Sequence, residues 1–143
     1  MSFQNQFTKT TTDANLMETV HHGSAEYPFR YYYENIALFD FKCIDWHWHS
    51  ELEFIYIESG NVVFDIGTVH FELNEGNGIM INSKILHRLQ SSSDAIIPNF
   101  LFQPSFIAPQ DSLIYKKYIN PVISSSLEYL VFQPDIPWQK KAL

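Results

Sequence analysis

Four side chains carry the chemistry of this sequence: His47, His49 and Glu53 in one stretch, Asp45 to Gly60, and His87 further on. Imidazole nitrogens and a carboxylate oxygen in this ratio are ligands for a divalent first-row metal such as Zn, Ni, Fe or Mn. If the stretch is a strand, alternate side chains point to opposite faces. His47, His49, Glu51 and Glu53 then share one face, and Trp48, Leu52, Phe54 and Tyr56 share the other. The same spacing also describes groups that are solvated or hydrogen-bonded to one another, and the residues alone leave both readings open. Glu51 shares the polar face and could equally stand in water near its end. Trp46 reads as a wall residue of a binding pocket, and Trp48 as packing beneath the N-terminal segment. His21, His22 and His70 have no partner spacing and read as surface residues.

Such a face needs a sheet to hold it. Phe29 to Tyr33 is dense in strand formers, and Ile36 to Ile44 reads as a second strand. Gly60-Asn61 is a hairpin signal ending the histidine stretch, with Val62 to Ile66 returning. Gly67-Thr68 and Glu75 to Gly78 make further turns around Val69 to Leu73 and the apolar Ile79-Met80-Ile81. Leu86 to Gln90 and Asn99 to Gln103 complete the series. Short strands with glycine turns between them predict an antiparallel sandwich or barrel. After Pro104 the pattern changes. Leu113 to Ile119 is expected to form a short helix stopped by Asn120-Pro121, Leu127 to Phe132 one more strand, and Asp135 onward a helix start without a body. That ending reads as the front part of a longer protein.

Composition narrows the function classes. The 143 residues make one domain, 45% hydrophobic and 16% aromatic, with a net charge of −7. The nine Lys and Arg are scattered apart from Lys116-Lys117 and Lys140-Lys141, so these residues offer no basic patch for nucleic acid. Neither a Gly-rich phosphate loop nor a βαβ alternation is present. Cys43 is the single cysteine, which rules out an internal disulfide and fits a reducing compartment. Met1 to Glu18 is polar and Thr-rich without the apolar core of a signal peptide, and no apolar run approaches the ~20 residues of a membrane span. The expected setting is cytoplasmic, with no membrane partner.

His47-x-His49-x3-Glu53-x6-Gly60 resembles the first motif of the cupin superfamily, with Phe41 where that motif often opens on glycine. Gly76-Asn77, Ile79 to Asn82 and then His87 resemble the second, with Asn77 in the usual Asp place and no proline in the turn. The run His47-Trp48-His49-Ser50-Glu51-Leu52-Glu53-Phe54-Ile55-Tyr56-Ile57, then Leu73 to Asn77 and Ile81-Asn82…Leu86-His87, is similar to the N-terminal sensor domain of AraC-type transcription regulators. His22-Gly23…Tyr27-Pro28-Phe29, Leu113 to Tyr118 with Pro121, and Trp138-Gln139-Lys140 fit the flanks of that domain. The resemblance covers the chain from about residue 19 to its end.

The resemblance implies a mainly β cupin jelly roll, or double-stranded β-helix, over residues 19–104. Residues 1–18 would be a flexible arm, and residues 105–143 a helix-strand segment leading to a truncated linker helix. A small effector such as a sugar would bind in the barrel through His47, His49, Glu53, His87 and Trp46. DNA would be reached only through a helix-turn-helix domain outside these residues, and the longer protein would be a homodimer. A metal-dependent cupin enzyme, a dioxygenase or isomerase, is the alternative to this non-enzymatic reading.

Overall fold

The computed structural model describes residues 7–143, so the first six residues of the expected arm lie outside the described residues. Nine strands form among them. They are β1 (Phe29–Asn35), β2 (Cys43–His47), β3 (Leu52–Tyr56), β4 (Asn61–Ile66), β5 (Val69–Asn74), β6 (Gly78–Ile81), β7 (His87–Gln90), β8 (Ile96–Phe102) and β9 (Tyr129–Phe132). They pair into a five-stranded sheet, β1-β8-β3-β6-β9, and a four-stranded sheet, β2-β7-β4-β5. Every pairing is antiparallel. Sheet packed on sheet in this way is the jelly-roll architecture.

Strand parity builds the core. Ile55, Val62, Phe64, Ile66, Ile79, Ile81, Leu89 and Ile97 turn inward and are buried between the sheets. The alternate residues Leu52, Met80, Phe102 and Phe132 face the other way, forming a second cluster with Phe54, Phe100 and Ile123. The five-stranded sheet is thus apolar on both faces, which is why Ile79-Met80-Ile81 shows no polar alternation. β9 comes from beyond residue 104, yet pairs with β6 along Gly78–Ile81.

Four local expectations change. The histidine stretch is not one strand: it breaks after His47 and resumes at Leu52 in the other sheet. Ile36 to Ile44 is largely turn, because the Asn35 side chain accepts from the Ala37 N–H at 3.0 Å and closes a 3₁₀ turn, Ile36–Leu38. A second tight turn, Asp40–Lys42, follows, and Phe41 inside it has left-handed backbone with φ 59°. Gly60-Asn61 does not make a hairpin, since β3 and β4 belong to different sheets and the chain crosses between them. Gly60 has φ +84°, and a Cβ there would stand 2.4 Å from the Asp94 carbonyl oxygen.

Asn120-Pro121 does not stop the helix either. The turn Tyr115–Ile119 widens to π geometry, with the Asn120 N–H donating to the Tyr115 carbonyl, before α1 (Asn120–Ile123) continues. A widened turn absorbs the bond Pro121 cannot donate and makes room for its ring. The last element, α2 (Pro137–Lys140), is a single turn. No helix among the described residues is long and apolar enough to cross a membrane.

Candidate metal and effector site

His47 ends β2 directly opposite His87 at the start of β7. The pairing of these strands slips by one residue: three steps from Ile44 to His47 on β2 match two from Leu89 to His87 on β7. A bulge of this kind inserts one residue and re-aims a side chain. Ile44 and His47 therefore both face the interior although their numbers differ in parity. His49 follows in the crossing to the second sheet, and Glu53 rises from β3. All four side chains are buried, with His87 completely enclosed.

Ligand atoms of His47, His49, Glu53 and His87 all lie within 4.8 Å of one another. The Glu53 Oε2 atom accepts from His49 Nε2 at 3.1 Å and from His87 Nε2 at 3.2 Å. Behind them, each Nδ1 meets a main-chain carbonyl: Asp45 at 2.7 Å from His47, Glu51 at 3.1 Å from His49 and Ile85 at 2.8 Å from His87. A histidine whose Nδ1–H is held by a carbonyl offers its Nε2 lone pair, the arrangement of metal-ligating imidazoles. His49 and His87 have acceptors at both ring nitrogens, so either an imidazolium proton or a divalent ion must stand between each ring and Glu53. The donor set, its burial and this outer ring of carbonyls fit a divalent ion.

The electrostatics of the protein without metal follow from the same contacts. Burial works against the Glu53 carboxylate, but hydrogen bonds from His49 and His87 outweigh it and hold this group well below the usual range. Burial also disfavours the His49 imidazolium, yet the bond and charge of Glu53 carry it up to about 9. His47 goes the other way: burial, with the charge of His87, pushes it down to about 3.

Beside the cluster lies a cavity of about 50 Å³, lined on its polar side by Glu18, His22, Tyr32, Glu34 and Asn99 and on its apolar side by Phe39, Ile44 and Leu101. Room of that size takes about four waters. Tyr32 lies opposite Asn99 in the β1–β8 register, and Asn99 Nδ2 donates to Glu34 Oε1 at 2.9 Å. Burial raises the Glu34 carboxyl to about 7 and the Tyr32 hydroxyl to about 12.

Residues 8–19 lie over this end of the barrel. The Asp40 N–H donates to the Thr8 carbonyl, the Asp45 N–H to Thr10 Oγ1, the Trp48 N–H to the Leu16 carbonyl, and the Glu18 N–H to the Trp48 carbonyl. Glu18 thereby joins the site, with Oε1 accepting from His22 Nε2 and Oε2 at 3.8 Å from His47 Nε2. The bond from His22 outweighs burial and lowers the Glu18 carboxyl.

The expected residues are not all brought together. Trp46 does not line the cavity: as the strand neighbour of inward His47 it faces outward, where the Arg88 guanidinium lies 5.0 Å from its ring centroid. Glu51 is buried but turned aside, accepting from Gln103 Nε2 at 3.1 Å. Trp48 packs beneath the N-terminal segment, its indole N–H donating to the Asn15 carbonyl at 2.9 Å. His21 and His70 are exposed, but His22 is buried, which corrects its reading as a surface residue. Sequence reasoning missed Glu18, His22, Tyr32, Glu34 and Asn99. The available signals were the four-residue spacing of Glu18 and His22 and the shared strand face of Tyr32 and Glu34.

A two-sheet jelly roll with a covered His3Glu cluster at one end defines a cupin-type ligand-binding barrel. Residues 38–108 match the AraC-like ligand binding domain. Over 134 residues it is 32% identical to the uncharacterized HTH-type transcriptional regulator YdeC of Bacillus subtilis (strain 168), a match covering 92% of this chain and 45% of that protein. The chain thus spans less than half the length of this relative. Among solved structures it is similar to a cupin-2 domain containing protein from Shewanella frigidimarina, with 14% identity and a TM-score of 0.45 over 51% of this chain and 69% of that one. A cupin superfamily protein from Desulfitobacterium hafniense is similar at 10% identity and a TM-score of 0.49, over 53% and 68% of the two chains.

Proposed function

We propose that this barrel is the effector-sensing module of a cytoplasmic transcription regulator, and that it holds a divalent metal as part of its effector site. The observation that carries the reading is the set of three buried imidazoles, each with Nδ1 against a main-chain carbonyl and Nε2 turned toward Glu53 or the cavity. His47, His49, Glu53 and His87 would hold the ion, which when bound supplies Lewis-acid attraction for an oxygen of the effector. The protein's own groups do the rest. Tyr32, Glu34 and Asn99 give the cavity its polar wall, and residues 8–19 lie over it.

Signalling would follow from differential binding. An effector that fits one arrangement of the N-terminal segment better than another shifts the balance between them. In the longer protein that balance would reach a DNA-binding domain and a homodimer contact. Strand β1, an edge of the five-stranded sheet with Tyr31 and Tyr33 exposed, is a surface where two copies could pair. A sugar is larger than the enclosed cavity and would enter only with residues 8–19 lifted.

The test is metal content and its dependence on the cluster. Protein purified without added metal, then titrated with Zn, Ni, Fe(II) or Mn, should take up one ion per chain, and His87→Ala should take up none. Full uptake by His87→Ala would defeat the site assignment. The completeness of the ligand set favours a second reading, a metal-dependent dioxygenase or isomerase. Turnover by the metal-loaded chain would establish that reading in place of the sensor.

A further inference from the structure

We propose that Glu18 is a built-in occupant of the effector seat, and that the effector it gives way to is a small carboxylic acid. The inference rests on the metal-holding reading of the four-residue cluster.

Glu18 is not a residue of either sheet. It is carried by the N-terminal segment, which is fixed by a pair of main-chain bonds to Trp48, whose chain neighbours are His47 and His49. That attachment turns its carboxylate inward, to 3.8 Å from His47 Nε2. A second enclosed carboxylate beside Glu53 is costly unless positive charge or strong donors face it.

A donor does face it. The His22 ring has its Nδ1 at 2.7 Å from the Tyr32 hydroxyl. With Tyr32 donating to Nδ1, the His22 proton sits on Nε2 and points at Glu18 Oε1. The seat is thus bounded by an N–H donor on one side and by the cluster on the other, and it recognises a carboxylate.

Nothing in that recognition requires the carboxylate to be part of the chain. The cluster is anchored by strands of both sheets, whereas Glu18 depends on its N–H bond to the Trp48 carbonyl, on the Trp48 N–H bond to the Leu16 carbonyl and on the Thr11–Thr19 contacts of its own segment. A free acid of a few atoms placed in the seat would meet the same donors. Its chain would run between Asn99 and Glu34 on one wall and Ile44 and Leu101 on the other. A neutral polyol offers the seat no charge and does not replace Glu18.

The experiment uses the full chain, with cobalt(II) as metal probe, acetate and glycolate as carboxylate probes, and erythritol as neutral control. Cobalt should bind one per chain, and its visible spectrum should report carboxylate binding. Glu18→Ala should tighten acetate and glycolate binding about tenfold, because it removes an intramolecular competitor of millimolar-order effective concentration. Glu18→Gln keeps the shape without the charge and should move the same way by less. Erythritol should leave all three spectra unchanged.

The inference is overturned if cobalt binds one per chain while both variants bind acetate no more tightly than the parent. It is also overturned if erythritol competes as well as acetate. Failure of cobalt to bind removes the metal reading and this inference together. Circular dichroism and melting of Glu18→Gln keep the comparison valid should Glu18→Ala fold poorly.

Discussion

The two groups of histidines that meet in the cavity are held in opposite ways. His47, His49 and His87 rest their Nδ1 atoms on main-chain carbonyls and present Nε2 to the interior. His22 rests its Nδ1 on a side chain, Tyr32, and points Nε2 at a carboxylate. The first group is positioned by strands, so its geometry is as firm as the barrel. His22 is held by Tyr32 of β1, but the carboxylate it faces is carried by a segment laid on the outside, so that contact is conditional. One arrangement suits a cation that stays, the other an anion that is exchanged.

The largest effect should come from the firm group. Glu53→Gln removes the carboxylate charge and one of its two oxygens, so His49 and His87 lose their shared anionic acceptor. Metal affinity, measured against a chelator, should fall by more than the about 10–100-fold that changes in the outer ring of a metal site produce. A fall of less than tenfold would mean that the cluster is not a unit.

Next comes the scaffold. Gly60→Ala must adopt φ +84° and meets the Asp94 carbonyl at 2.4 Å. It should cost at least about 1–3 kcal/mol of stability, read by denaturant unfolding. Metal stoichiometry of the folded fraction should not change.

A pH dependence separates the metal-free and metal-bound barrels. The His49 imidazolium is stabilised by folding, its value standing at about 9 against 6.5. Its contribution is full below pH 6.5 and is lost as pH rises through 9. Glu34, raised to about 7 from 4.5, acts in the same direction but at lower pH, between about 4.5 and 7. His47, lowered to about 3, opposes them by adding stability as pH rises from 3 to 6.5. Between pH 7 and 9 only the His49 loss is left among these three. The melting temperature of metal-free protein should therefore fall across that window, and bound metal should flatten the decline. A flat metal-free profile would refute the charged His49–Glu53 contact.

Smaller still is a change confined to the segment. The Asp13 side chain accepts from the N–H groups of Asn15 and Met17 at 2.8 and 3.0 Å, shaping the turn before Glu18. Asp13→Ala should lose about 1 kcal/mol locally. Hydrogen exchange should quicken over residues 8–19 while the barrel strands keep their protection. The smallest effect is expected of Trp46→Phe, which alters a ring stacked on Arg88 outside the cavity and should leave metal affinity unchanged.

What was legible in the sequence was whatever depends on local period. The alternation from Val62 to Leu73 predicted β4 and β5 and the turn between them. The types and spacing of His47, His49, Glu53 and His87 predicted a group that folding brings within 4.8 Å. Parity failed where the chain leaves the regular ladder. Ile44 faces inward despite its even number because a bulge adds a residue between it and His47, whereas Trp46, read as a wall, keeps the outward parity of a neighbour of His47. The role of Gly60 was misread because a glycine in left-handed backbone serves a crossing between sheets as well as a hairpin. Glu18 and His22 were invisible for a different reason. A polar segment without periodicity looks unstructured, and its bonds to Asp40, Asp45 and Trp48 give it a place.

The slipped pairing of β2 and β7 has a consequence for how such a site could be strengthened or weakened. Deleting the three bases that encode Asp45 would leave the reading frame intact and let the two strands pair in regular register. On regular alternation Ile44 and His47 would then stand two residues apart and still share the interior, opposite Leu89 and His87. What the strand would lose is the Asp45 carbonyl that His47 Nδ1 meets at 2.7 Å, so the imidazole would keep its place and lose its tether. Close relatives with an intact His-x-His motif but a strand one residue shorter should bind metal more weakly, by about 10–100-fold.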